Sequence, residues 1–61
     1  MKYYYDDDDR TYVEKDGVIY YYSTKGIGNK SSYLRPDPMK WHECTEEEAI
    51  EEAKIYESYF K

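Results

Sequence analysis

The chain has 61 residues, a formal net charge of −5, one cysteine, and ten tyrosines beside a single Trp and a single Phe. That length allows one domain, which buries only about 60% of its unfolded surface. The lone Cys44 excludes an internal disulfide, and the negative balance disfavours general nucleic-acid and anionic-membrane binding, both of which need Lys and Arg.

With Val, Ile and Leu sparse, the core must come largely from tyrosine, whose hydroxyls each need water or a partner. No apolar run reaches the length of a transmembrane helix, and no apolar signal core follows Lys2. A soluble cytoplasmic protein is the expectation, and a lone thiol suits a reducing compartment.

In chain order, residues 2–5 (KYYY) predict a first strand, with Asp6, Asp7, Asp8 and Asp9 as the turn into a second strand at 10–15. The stretch EKDGV then marks a hairpin, because Asp-Gly between β-favouring runs supplies positive φ at low cost. A three-residue loop of Lys15, Asp16 and Gly17 is favoured over a two-residue turn at Asp16 and Gly17; the two differ by one residue in register. The third strand, 18–24, places Val18, Tyr20 and Tyr22 on one face and Ile19 and Tyr21 on the other. One face should meet the helix, and the other packs under the N-terminal residues or remains open to a partner.

Residues 25–38, rich in Gly, Ser, Asn and Pro, read as loop. Ser32 to Arg35 is a candidate edge strand, and Met39 to Cys44 a short extended piece carrying Trp41. Thr45 with Glu48 forms a capping box that opens a helix over about 46–60. The acids of its first turn suit the positive end of the dipole and Lys61 suits the other end. Ala49, Ala53, Tyr56 and Phe60 make its apolar stripe, widened by Ile50, Ile55 and Tyr59. The expected fold is α+β in one domain, 1–61: a small antiparallel sheet of three, possibly four, strands packed by one C-terminal helix.

Catalytic and metal signatures fail on counting. His42, Glu43 and Cys44 offer one His and one Cys where zinc needs four ligands, and they lack a nucleophile–base–orienter arrangement. Cys44 precedes a helix N-terminus, a position that can lower a thiol pKa and allow mild reactivity. GIGNKSS lacks the glycine that a phosphate loop places before its lysine. Asp6 and Asp8 fit two calcium-loop positions, but Arg10 occupies the third. No enzyme, metal or cofactor is expected.

Charge is segregated instead. The aspartate run is followed by a middle segment, 10–42, with six basic and three acidic residues, and from Glu43 onward seven glutamates face two lysines. Tyrosine beside acid points to a surface for a protein partner, since interfaces favour Tyr and Trp. Asp6, Asp7, Asp8, Asp9, Glu47 and Glu51 are the candidate charged contacts, and Tyr5, Tyr12 and Tyr21 the aromatic ones.

Short length, acidity, tyrosine content and a strand–strand–helix plan ending in WHECTEEEAIEEA make the chain resemble small phage and mobile-element anti-defence proteins of the anti-CRISPR and DNA-mimic type. The resemblance implies an inhibitor whose partner is a basic nuclease or its guide complex, with Asp6 to Asp9, Glu47 and Glu51 imitating phosphates. The alternatives are an interaction module or homodimer using an open tyrosine face, and a weak single-strand binder stacking bases on Tyr20, Tyr22 or Trp41 above Lys25, Lys30, Arg35 and Lys40.

Overall fold

A computed structural model describes residues 1–60. Five strands, β1 (Lys2–Asp6), β2 (Thr11–Lys15), β3 (Val18–Ser23), β4 (Gly26–Lys30) and β5 (Trp41–Cys44), precede one helix, α1 (Glu46–Ser58). The strands form one antiparallel sheet in the order β4-β3-β2-β1-β5. Strands one to four are therefore a meander. β5 returns from the far end of the chain to pair with β1.

Two of the five strands exceed the minimal expectation, and one of them lies inside the segment read as loop. GIGNK has little strand propensity, yet Ser23 opposite Gly26 closes a tight hairpin and Ile27 pairs with Tyr22. The register slips between Tyr20 and Tyr22, so β4 bulges near Gly28, an irregularity that suits an edge. Ser32 to Arg35, the expected edge strand, is irregular and lies across one face of the sheet.

The hairpin between β2 and β3 also corrects the favoured loop length. Lys15 pairs with Val18, which leaves only Asp16 and Gly17 in the turn, with φ of 54° and 78°. Two successive left-handed residues match the right-handed twist of the flanking strands. Val13 consequently faces Tyr3 on one side and Tyr20 on the other.

Alternation along the strands divides the side chains into two clusters. Tyr3, Val13, Tyr20, Tyr22 and Cys44 pack with Ala49 of α1, and Tyr3 meets Tyr22 edge-on at 5.2 Å. On the reverse face, Tyr4, Tyr12, Ile19 and Trp41 form a second cluster. There the indole of Trp41 reaches across β1 and stacks on Tyr12 at 3.8 Å with the planes 11° apart. Tyr33 closes this cluster edge-on to both rings. Loop 31–40 thus supplies the lid that a helix supplies opposite, and the reverse face is not an open tyrosine surface.

The helix begins where its capping box requires. Thr45 Oγ1 accepts from Glu48 N at 3.1 Å, and Glu48 Oε1 accepts from Thr45 N at 3.0 Å. Thr45→Ala should cost about 1 kcal/mol, read as a lower urea midpoint with unchanged slope. At the other end, the sequence-based stripe overreaches. Ala49 and Ala53 are buried, whereas Ile55 on the outer side of the helix, and Tyr59 and Phe60 beyond its last turn, are exposed. Lys61, expected at the dipole's negative end, lies outside the described residues, and the last turn of α1 holds no basic residue.

Candidate functional site

The aspartate run is four different residues in structural terms. Asp6 ends β1 on the same face as Tyr4 and is only 9% exposed. Its Oδ1 accepts from the backbone N–H of Asp8 and of Arg10, each at 3.0 Å, and its Oδ2 accepts from the Tyr12 hydroxyl at 2.8 Å. Asp9 adopts φ of 61°, a left-handed conformation that Asp tolerates better than most residues. With Asp6 O accepting from Asp9 N and Arg10 O from Asp6 N, the run folds into a tight turn. Asp7 and Asp8 are exposed and Asp9 is half-buried.

Two candidate contacts are therefore corrected. Asp6 and Tyr12 are interior, bonded to each other, and Tyr12 is fully buried. Their polar groups are already engaged with each other and with the turn. Of the remaining candidates, Tyr5 is half-buried and Tyr21 lies at the margin of the covered face. Glu47 and Glu51 sit on the outer side of α1, with Glu51 paired to Lys54 at 3.3 Å. That pair is exposed and contributes little.

Acid that the sequence did not single out lies elsewhere on the helix. Glu48 and Glu52, one turn apart, flank the side of α1 that faces β1 and β5. Glu52 reaches Asp9 in the turn between β1 and β2, and the Tyr59 hydroxyl donates to Asp9 Oδ2 at 3.3 Å. Asp7 contacts His42 Nε2 at 3.2 Å, and the His42 ring lies 5.0 Å from that of Tyr5. Glu48, Glu52 and Asp9 thus form an acidic row, and Asp7, two residues before Asp9, stands against His42 beside Tyr5. Among the described residues the ion pairs are His42–Asp7 and Lys54–Glu51, so Glu48, Glu52 and Asp9 have no cationic partner.

The row carries an electrostatic cost. Partial burial raises the Glu52 pKa, and the adjoining Asp9 and Glu48 carboxylates raise it further. A carboxyl whose folded pKa lies above its unfolded value favours folding at acid pH and loses that contribution as pH climbs through the raised value. Cys44 registers the same field. Burial first, then Glu48, Glu52 and Glu43, push its thiol up to about 11, which corrects the expectation of an activated cysteine. The helix N-terminus cannot offset three nearby carboxylates.

Burial and the hydrogen bond to Glu14 push the Tyr4 hydroxyl up to about 12, and burial with the Asp6 contact raises Tyr12 as well. Both phenols remain neutral donors at neutral pH. Among the described residues, no group of three or more His, Cys, Asp or Glu is placed to hold a metal ion. Among the described residues no helix is long and apolar enough to cross a membrane.

The sequence could have yielded Asp6, because the alternation Lys2, Tyr4, Asp6 continues one strand face into the acidic run. Nothing in the sequence joins Glu52 to Asp9, which are brought together only by the return of the chain. No family model, no curated protein and no solved structure matches this chain.

Proposed function

We propose that the protein is a small acidic protein-binding inhibitor that occupies a basic, nucleic-acid-binding groove, as its resemblance to anti-defence proteins implies. The observation that carries this reading is the row Glu48, Glu52 and Asp9, none of which forms an ion pair among the described residues. Packing carboxylates together works against folding, whereas an external cationic surface would be drawn to them and steered on approach. The phosphate-imitating set is accordingly revised. Asp7, Asp8, Asp9, Glu47 and Glu51 remain, Glu48 and Glu52 join, and Asp6, turned inward, leaves. The basic side chains Lys25 and Lys30 lie on and beside β4, at the opposite edge of the sheet from β5, so they do not neutralise the row. Tyr33 and Trp41 cover the reverse tyrosine face, which favours inhibition over self-association through that face.

The test is capture of a partner on the immobilised chain, with a variant carrying Asp7→Asn, Asp9→Asn, Glu48→Gln and Glu52→Gln. Glutamine preserves the capping acceptor at position 48, and Asn suits the left-handed backbone at 9. The wild type should retain a basic nucleic-acid-binding protein and release it as salt rises past about 0.15 M, where the screening length is about 8 Å. The variant should bind that protein about tenfold or more weakly while unfolding at an equal or higher urea concentration. Equal retention by both proteins at every salt concentration would overturn the reading.

A further inference from the structure

Away from the acidic row, on the other flank of the helix, a groove of about 380 Å³ opens between α1 and the ends of β2 and β3. Ala53 and the rings of Tyr22 and Tyr56 give it apolar walls, and Arg10, Thr11 and Glu57 bring polar groups to it. Its volume falls within the range typical of small-molecule sites.

Two features of these polar groups call for a ligand. Thr11 is only 4% exposed, and its hydroxyl is buried without a hydrogen-bond partner in the protein, a state that native interiors rarely leave uncompensated. Arg10 and Glu57 carry opposite charges on one groove yet do not form an ion pair. Arg10 meets the hydroxyl of Tyr56, the helix neighbour of Glu57, so both charges reach the same stretch of wall while remaining more than bonding distance apart. The Arg10 guanidinium keeps most of its five donors for other contacts. Glu57 accepts from Thr24 N at 3.3 Å and Thr24 Oγ1 at 2.7 Å, which fixes its carboxylate and leaves acceptor capacity on both oxygens.

We propose that this groove binds a small zwitterion with an apolar body, of the class of a free apolar or aromatic amino acid. Arg10 takes the carboxylate, Glu57 takes the ammonium group, and the side chain lies against Ala53, Tyr22 and Tyr56 above the buried Thr11. A simple anion meets the repulsion of Glu57 and of a molecule already at −5; a simple cation meets Arg10. A ligand carrying both charges satisfies both walls without adding net charge.

The experiment is a titration of the isotope-labelled full chain with L-phenylalanine, followed by amide NMR shifts. The backbone amides of Thr11, Ser23, Ala53 and Tyr56 should move together, with an affinity on the order of 1 mM for so open a groove. N-acetyl-L-phenylalanine, which lacks the ammonium group, and L-phenylalaninamide, which lacks the carboxylate, should each bind about fivefold or more weakly. Arg10→Gln should reproduce the weakening for L-phenylalanine and abolish the difference between it and its amide. Absence of shifts at about 10 mM L-phenylalanine, or equal binding of either blocked analogue, overturns the proposal. Either result leaves the acidic-row reading untouched, because the groove shares no residue with that row.

Discussion

Trp41→Ala is expected to remove most of the chain's stability at room temperature. The indole stacks on Tyr12 at 3.8 Å, tilts against Tyr4 at 5.9 Å and receives Tyr33 edge-on at 5.3 Å. Truncating a buried Trp to Ala typically costs about 3–5 kcal/mol. A chain of 61 residues, at about 0.05–0.15 kcal/mol per residue, has roughly 3–9 kcal/mol to lose. The reverse cluster has only four buried members, and loop 31–40 has the Tyr12 and Trp41 rings as its aromatic seat. Losing the indole therefore releases the lid as well. Far-UV circular dichroism against urea measures the effect. Trp41→Phe, which keeps a flat ring, should retain a cooperative transition at a lower midpoint. A Trp41→Ala midpoint equal to that of the wild type would show that the stack does not hold this face together.

Asp6→Ala should cost about 2–4 kcal/mol, through three hydrogen bonds broken at once. It strands the hydroxyl of Tyr12, a fully buried residue, and removes the acceptor for the N–H groups of Asp8 and Arg10. An unsatisfied buried polar group costs about 1–3 kcal/mol. Asp6→Asn should cost only about 1 kcal/mol, since the amide oxygen still serves the turn while the amide N–H can donate to the phenol oxygen. A double-mutant cycle with Tyr12→Phe isolates the carboxylate–phenol bond, which should appear as a coupling of about 1 kcal/mol or more. Additive losses in that cycle would place the role of Asp6 in the turn alone. Replacing all four aspartates together would confound this loss with any effect on binding, so a charge test has to leave Asp6 intact.

The helix and the central strands were legible because their signals are local. Thr45 and Glu48 lie three residues apart and cap each other, and Asp16-Gly17 marks its hairpin without outside help. What escaped the sequence depends on contacts distant along the chain. β4 is held by its pairing with Tyr22 and Ser23, and its glycines speak against a strand when read alone. Tyr59 and Phe60 lie beyond the last turn of α1 and stay exposed, and Ile55 falls on the outer side of the helix. The tyrosines are divided between two faces; loop 31–40 covers the second, and irregular chain leaves no periodic trace. The acidic site was half legible: composition drew attention to the aspartates, but which carboxylate turns inward depends on the strand alternation, and the Glu52–Asp9 meeting depends on the fold.

The position of β5 bears on how the chain reaches this state. β1 to β4 are joined by short turns and can zip together through contacts close in sequence, which form quickly. Pairing of β5 with β1 must close a long loop first, since Asp6 meets Trp41 and Tyr3 meets Cys44. Until that closure the edge of β1 is unpaired, and neither Trp41 nor α1 has reached the sheet. The rate-limiting passage should therefore be the docking of residues 41–58 as a unit onto a preformed meander, and the early species would expose tyrosine on both of its sides.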